Sequence, residues 1–253
     1  MLKIRVIPCL LLKDESLVKT VKFKKYNYIG DPINTVRIFN ELEVDELMFL
    51  DIFASKEKRK INFNLLQNIA NECFMPLSYG GNIKSLEDAK KIFEIGFEKI
   101  VINSNAFNNL RLIEELANYF GTQSIVGSID VKKNFWGKEK IFSYHGQKKE
   151  QDNLVIWSKK LENAGVGELL ITSIDKDGTW DGYDIEMIKC VTQNVQVPVI
   201  ANGGAGSLEN LREVVKEADA SACAVGSMVV YQKKDMGVLM NFPNRKKLEN
   251  ILR

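Results

Sequence analysis

The chain has 253 residues, enough for one α/β barrel or two smaller domains, and its 45% hydrophobic content suffices for a packed core. Its 35 basic and 33 acidic residues give a formal charge of +2, which argues against nucleic acid or a membrane surface as a partner. No run approaches the roughly 20 apolar residues that span a bilayer. The first residues resemble a strand rather than a signal peptide.

Short apolar runs alternate with helical patterns along the chain, which predicts strands and helices in alternation. The predicted strands are Ile4–Leu12, Glu46–Asp51, Leu77–Tyr79, Lys99–Ile102, Ser124–Asp130, Glu168–Ser173, Pro198–Ala201 and Ala222–Val225. The predicted helices are Asp31–Leu42, Asn62–Glu72, Ser85–Ile95, Asn108–Tyr119, Asp152–Ala164, Asp184–Val191, Ser207–Lys216 and a short C-terminal pair ending at Leu252. This pattern predicts a single (β/α)8 barrel, with a doubly wound sheet as the alternative.

Two segments interrupt the alternation after the first and fifth strands. Lys13–Tyr28 is long and basic, and Lys132–Lys149 alternates polar and aromatic residues around Gly137, as a small hairpin does. Because both follow barrel strands, we expect them at the C-terminal mouth of the barrel, where substrate loops belong.

One motif occurs twice, at an offset of 123 residues. Ser-Tyr-Gly-Gly-Asn at 78–82 recurs as Ala-Asn-Gly-Gly-Ala at 201–205, and each copy precedes a helix that opens with Ser-Leu-Glu. The repeat predicts two half-barrels, about 1–122 and 123–253. Glycine lets backbone N–H groups approach a ligand oxygen closely, so each copy predicts a phosphate site. One comprises Gly81, Asn82, Asn103 and Ser104, and the other Gly203, Gly204, Gly226 and Ser227. Two such sites predict a substrate with a phosphate at each end.

Three carboxylates, Asp51, Asp130 and Asp175, close apolar runs and are therefore expected at the mouth. Asp130 follows an almost wholly apolar run and is the predicted general acid or base. Asp175 is predicted to bind substrate, with loop capping or pairing with a lysine as the alternative reading for all three. Lys19 is a candidate for binding an anionic substrate, and the alternative is that it is a solvated surface lysine. His145 is predicted to be a surface turn residue.

Four charged residues of alternating sign stand at strand starts, which places them on the N-terminal face. They are Arg5, Glu46, Lys99 and Glu168. A salt-bridge ring across the barrel axis is predicted, either as a structural plug or as a gate on a central passage.

The chain has four widely spaced cysteines, Cys9, Cys73, Cys190 and Cys223, and one histidine. No Cys-x-x-Cys pair occurs, so no metal site or cofactor is predicted. Buried thiols in a reducing cytosol are the simplest reading, and a cytoplasmic location is expected.

The sequence resembles the cyclase subunit family of imidazole glycerol phosphate synthase over nearly the whole chain. The resemblance is carried by Asp45–Ile52, Lys56–Lys60, Leu170–Asp184 and Ala201–Gly206. It implies a barrel that binds a bis-phosphorylated aminoimidazole carboxamide ribonucleotide. A glutaminase docked on the N-terminal face would release ammonia, which would pass the four-residue gate and attack the substrate. Asp130 and Lys19 match a catalytic residue and a mouth-loop residue of the family.

Two positions depart from the family pattern. Leu11 stands where the family has a second catalytic aspartate, and Asn82 stands where a third glycine is preferred. Leucine cannot transfer a proton, and Asp14, three residues on, is not expected to replace it. The sequence therefore leaves two main hypotheses: a cyclase relying on Asp130, or a divergent paralogue that binds a glutaminase and conducts ammonia to a sugar amidotransferase of surface polysaccharide synthesis. A sister isomerase of histidine synthesis is the third, least favoured reading.

Overall fold

The computed structural model describes residues 4–252 and contains twelve strands in that range. In chain order they are β1 (Arg5–Lys13), β2 (Ser16–Val21), β3 (Lys25–Gly30), β4 (Leu47–Asp51), β5 (Leu77–Gly80), β6 (Lys99–Ile102), β7 (Ile125–Lys133), β8 (Glu139–Ser143), β9 (Lys148–Lys149), β10 (Glu168–Ser173), β11 (Val199–Asn202) and β12 (Ala222–Val225).

Eight of these strands form a closed parallel ring in the order β1, β4, β5, β6, β7, β10, β11, β12 and back to β1. All eight predicted strands are present, with ends shifted by at most three residues. The predicted (β/α)8 barrel is therefore confirmed. The doubly wound alternative is excluded because the pairing of β12 with β1 closes the sheet.

Ten α-helices and one short 3-10 helix (Thr122–Ser124) occur in the described range. The α-helices are α1 (Pro32–Glu41), α2 (Phe63–Glu72), α3 (Leu86–Ile95), α4 (Ser104–Asn108), α5 (Arg111–Phe120), α6 (Leu154–Ala164), α7 (Ile185–Thr192), α8 (Leu208–Ala218), α9 (Ser227–Val230) and α10 (Arg245–Leu252). Side-chain caps start several of them: Asp31, Ser85 and Ser207 each accept a hydrogen bond from a backbone N–H in the first turn. The sequence predictions missed α4, which follows β6 as α9 follows β12.

The barrel has two hydrophobic layers. The larger lies between strands and helices, and the smaller fills the barrel interior with Ile7, Met48, Val126, Leu170 and Ile200. Because parallel strands bury both faces, the strand sequences are apolar at successive positions instead of alternating. The interior is thus a packed core between the two ends of the barrel.

Antiparallel extensions rise from two barrel strands at the C-terminal mouth. β1 continues to Lys13 and pairs with β2, which pairs with β3; the long segment after the first strand is therefore a sheet. β7 continues to Lys133 and pairs with β8, which confirms the predicted hairpin. Both extensions lie beside the end of the barrel that carries the predicted site.

Candidate active site at the barrel mouth

A pocket opens at the carboxyl ends of the barrel strands. Most of the predicted site residues line it. They are Lys19, Gly81, Asn82, Asn103, Ser104, Asp130, Gly203, Gly204, Gly226 and Ser227. Both Gly-Gly loops thus face one cavity, which fits an elongated ligand with an anionic group at each end.

The first predicted phosphate site combines two loops, the one after β5 and the one between β6 and α4. We call these two loops the first loop pair. Asn82 has a left-handed backbone (φ 50°), and its side-chain amide donates to the carbonyl of Arg59 at 2.6 Å. Asparagine tolerates this conformation, so its substitution for glycine keeps the turn. Gly81 has no room for a side chain, because a Cβ there would lie 2.8 Å from Cβ of Asp51. Ser104 begins α4, where the first backbone N–H groups lack helical partners.

The second loop pair combines the loop after β11 with the loop between β12 and α9. Gly203 and Gly204 have φ values of 90° and 110°, and a Cβ on Gly204 would collide with the carbonyl of Gly182. A Cβ on Gly226 would lie 2.7 Å from Cε of Lys19. Lys19 therefore passes directly over Gly226, which brings its ammonium group close to this loop pair. Backbone N–H groups and a cation together suit a phosphate.

Asp130 lies in the pocket and is only 9% exposed. Burial raises the pKa of its carboxyl group to about 7, and the nearby charge of Asp177 adds to this shift. Hydrogen bonds from Asn103, whose Nδ2 lies 3.0 Å from Oδ2, and from Thr172 act in the opposite direction. At neutral pH both protonation states are therefore populated, as a general acid or base requires.

Asp177 is a pocket residue that the sequence analysis missed. Its carboxylate accepts hydrogen bonds from Lys19 Nζ at 2.8 Å, from Thr20 Oγ1 at 2.6 Å and from the backbone N–H of Phe23 at 3.3 Å. Its carbonyl accepts from the N–H of Lys22 at 2.9 Å. Asp177 thereby fastens the β2–β3 extension to the segment after β10. Lys19 is buried in this ion pair, so its reading as a solvated lysine is wrong.

Asp175 does not line the pocket, contrary to the prediction that it binds substrate. β10 ends at Ser173 and the chain turns at once, with the N–H of Asp177 bonded to the carbonyl of Ser173 at 3.0 Å. The turn aims Asp177 inward. It leaves Asp175 to accept from the N–H of Lys133 at 2.8 Å.

Asp51 lines the pocket but is held by a cation and by its own loop. Its carboxylate accepts from Arg59 at 3.0 Å and from the N–H groups of Phe53 and Ala54. Burial raises the pKa of Asp51, and Arg59 opposes the shift. Asp51 therefore caps its own loop and pairs with a cation, as the alternative interpretation predicted, although the cation is an arginine and not a lysine.

His145 lines the pocket and stacks on Phe23, with ring centroids 4.8 Å apart and planes 6° from parallel. His145 therefore lies in a turn, as predicted, but it is half-buried and faces the pocket instead of the open surface. Tyr144 and His145 both adopt left-handed backbone, which folds the turn after β8 back over the mouth. Burial lowers the pKa of His145 to about 4, so the ring is neutral at physiological pH.

The opposite end of the barrel carries the predicted ring of charges. Arg5 donates to Glu46 and to Glu168, each at 2.7 Å. Lys99 Nζ lies 3.2 Å from Glu168 and 3.6 Å from Glu46. The four side chains thus form a closed circuit of alternating sign at the strand starts.

The described residues include no group of three or more His, Cys, Asp or Glu side chains arranged to hold a metal ion. Cys9 and Cys223 are buried, whereas Cys73 and Cys190 are partly exposed. Over residues 4–252, no helix combines the length and hydropathy needed to cross a membrane.

Comparison with known proteins gives the family. The model of the family described as histidine biosynthesis protein matches residues 5–235. The chain belongs to this family. A Pseudomonas aeruginosa relative, whose name gives imidazole glycerol phosphate synthase subunit hisF2 as a provisional assignment, is 50% identical over 98% of this chain and 99% of its own.

Two further relatives agree with this assignment. A Leptospira interrogans protein, also named provisionally as imidazole glycerol phosphate synthase subunit HisF, is 45% identical over 98% of each chain. The imidazole glycerol phosphate synthase subunit HisF of Methanococcus vannielii is 40% identical over 93% of this chain and 94% of its own. The resemblance to the HisF-like family is thereby confirmed.

Leu11 gives this member of the histidine biosynthesis family an apolar side to its pocket. Leu11 pairs in register with Leu50 of β4, and both line the cavity with Cys9. Burial raises the pKa of the Cys9 thiol to about 12, so Cys9 stays protonated. Asp14 points away, with its side chain 65% exposed and 3.9 Å from Nε of Arg59. It therefore does not occupy the position of Leu11, in agreement with the sequence analysis.

Proposed function

We propose that the chain is the barrel subunit of an enzyme of the imidazole glycerol phosphate synthase type, acting on a bis-phosphorylated aminoimidazole carboxamide ribonucleotide. One observation carries the proposal. A carboxyl group with a pKa of about 7, Asp130, shares a single pocket with two loop pairs suited to phosphate. Membership of a family whose named relatives are subunits of this enzyme supports it.

In this proposal each loop pair holds one phosphate. Gly81 and Ser104 bind one end through backbone N–H and hydroxyl groups, while Gly204 and Ser227 bind the other. Lys19 contributes positive charge at the second end, because its side chain lies over Gly226. The ligand would then span the mouth and hold its central, reacting part near Asp130.

Asp130 would move the protons of the reaction. Ammonia that attacks the substrate must lose a proton, and the cleaved part must gain one. The carboxyl group can do both in turn because its pKa is raised to about 7, near working pH. Asn103 would orient it through the 3.0 Å hydrogen bond.

Ammonia would enter from the N-terminal face, delivered by a docked glutaminase. The ring of Arg5, Glu46, Lys99 and Glu168 would be the gate on that route. A groove beside the ring is lined by Arg5 and Glu168 together with apolar residues such as Leu42, Phe242 and Leu248. Its mixed character suits a partner subunit.

A direct assay tests this proposal. Purified chain is given the bis-phosphorylated substrate and an ammonium salt, so that no glutaminase is needed. We expect turnover that falls at least about 100-fold in Asp130→Asn, the typical contribution of general acid–base catalysis. Asp175→Asn is the matched control, because Asp175 does not line the pocket. Absence of turnover above background in the parent chain would refute the cyclase proposal.

A second candidate function is favoured by Leu11. In this version the barrel retains ligand binding and glutaminase docking, but its cyclase chemistry is impaired. Ammonia released by the glutaminase would be conducted to another enzyme, a sugar amidotransferase making acetamidino groups. The apolar side formed by Leu11, Leu50 and Cys9 supports this candidate, since no group there exchanges protons at neutral pH.

Complementation separates the two candidates. The gene is introduced into a histidine auxotroph that lacks its own cyclase subunit, together with the gene for the glutaminase. Growth without histidine supports the cyclase proposal and contradicts impaired chemistry. If there is no growth but the barrel still activates the purified glutaminase, the conduit function is supported.

A further inference from the structure

Exposed hydrophobic side chains are concentrated at one end of the barrel. Twelve large hydrophobic side chains are exposed among residues 4–252, and eight lie on three segments around the pocket opening. We call these segments, residues 13–30, 132–149 and 231–240, the mouth rim. The eight are Val21, Tyr26, Tyr28, Phe135, Trp136, Met236, Val238 and Leu239.

Each segment is anchored to the mouth by a described contact. Asp177 ties the first segment to the loop after β10, and the second continues β7 beyond Asp130. The third follows α9, and its Lys234 lies 3.5 Å from Asp181 of the same loop. All three segments are therefore held at the mouth of the barrel.

Positive charge is concentrated on the same rim. Its three segments contain thirteen lysines and four acidic residues, an excess of nine positive charges. The whole chain has a formal charge of only +2, so the remaining residues carry an excess of seven negative charges. Such a separation of charge steers an oppositely charged partner toward the rim.

The tip of the β7–β8 hairpin is the most exposed apolar point. Phe135 and Trp136 are 95% and 80% exposed, and their rings meet edge to face with centroids 5.6 Å apart. Lys132, near the end of β7, and Lys138, in the turn before β8, are exposed on either side of them. Aromatic side chains surrounded by charge are typical of the anchors that dominate protein interfaces.

We infer that the mouth rim is the docking surface of a second protein, one with an acidic face and an apolar pocket for Phe135 and Trp136. The acidic surface follows from charge complementarity with the twelve rim lysines other than Lys19, none of which is buried. The apolar pocket follows from the exposure of the two rings. A protein bound there would lie over the pocket opening. The inference holds for either proposed reaction, because it rests on the rim alone.

Site-specific crosslinking in the organism of origin identifies the partner. A photoreactive p-benzoylphenylalanine replaces Trp136 in one variant, and Ile38, on the outer face of α1, in a matched control. We expect irradiation to join position 136, but not position 38, to one particular protein. If position 136 yields no protein adduct, the inference is overturned.

Binding of that purified protein then tests the surface itself. We expect Phe135→Ala/Trp136→Ala, and separately Lys132→Glu/Lys138→Glu, to raise Kd at least about tenfold, while Ile38→Ala leaves it unchanged. All five changed residues are exposed, so the unfolding midpoints should match that of the parent chain. Unchanged affinity in both double variants would overturn the inference. So would sedimentation with phosphatidylserine-containing vesicles that is lost in Phe135→Ala/Trp136→Ala, since it would identify the surface as membrane-binding.

Discussion

Asp130 is buried, and its hydrogen bonds with Asn103 and Thr172 offset only part of the cost of burying a charged carboxylate. Its pKa is raised for that reason. The sequence identified this residue because a long apolar run ends at it. It did not identify Asp177, because Asp175 and Asp177 stand two residues apart and only the turn after Ser173 decides which faces the pocket. His145 was missed for a similar reason: its stacking on Phe23 joins segments more than a hundred residues apart.

The raised pKa of Asp130 predicts a pH-dependent stability. A carboxyl group with a higher pKa in the folded chain favours folding below its unfolded pKa near 4, and this contribution is lost as the pH rises through about 7. Asp130→Asn removes the titration. We therefore expect the unfolding free energy of the variant, minus that of the parent, to increase by roughly 2–4 kcal/mol from pH 4 to pH 8. Urea denaturation across this range measures it, and a pH-independent difference would contradict the assignment.

At the level of elements, the β2–β3 extension is held over the mouth mainly by one side chain. Asp177 receives three hydrogen bonds from it, and Phe23 of the extension stacks on His145. The sequence predicted the barrel elements well, because each has an apolar run or a cap. It did not predict β2 and β3 as strands, since their pairing depends on the continuation of β1 beyond the barrel.

Removing the Asp177 carboxylate should release this extension. In Asp177→Ala we expect faster amide hydrogen exchange in residues 16–30, by about tenfold or more, because buried hydrogen bonds to a charged group each contribute roughly 1.5–3 kcal/mol. Asp175→Ala is the control, as it keeps every bond to the extension. Equal protection of β2 and β3 in the two variants would show that Asp177 does not fasten the extension.

Over the whole molecule, chemistry is divided between the two ends of the barrel. The pocket occupies the mouth, the charged ring closes the opposite end, and an apolar interior lies between them. The repeat of glycine loops 123 residues apart supports our proposal that the barrel consists of two related halves. That symmetry is broken at the centre, where Asp130 faces a pocket whose other side contains Leu11.

The ring should contribute to stability beyond an ordinary surface ion pair. Glu168 is 13% exposed and bonds to both Arg5 and Lys99. We expect Glu168→Gln to lower the free energy of unfolding by roughly 1–3 kcal/mol, because it leaves two cations only partly paired. Glu72→Gln, which breaks an exposed pair with Arg37, should cost at most about 1 kcal/mol. If chemical denaturation shows that the two variants lose equal unfolding free energy, the ring contributes no more than an exposed ion pair does.

We propose that the pocket is a bis-phosphate site of the cyclase type that lacks only one carboxylate. The test is ammonium-dependent turnover of the bis-phosphorylated substrate, measured for the parent, Leu11→Asp and Leu11→Asn. We expect Leu11→Asp to exceed the parent by about 100-fold or more, because it restores a second proton-transfer group in the pocket that Asp130 lines. Leu11→Asn, equally polar but unable to exchange a proton at neutral pH, should show no such gain. Equal rates for folded Leu11→Asp and Leu11→Asn would contradict the claim.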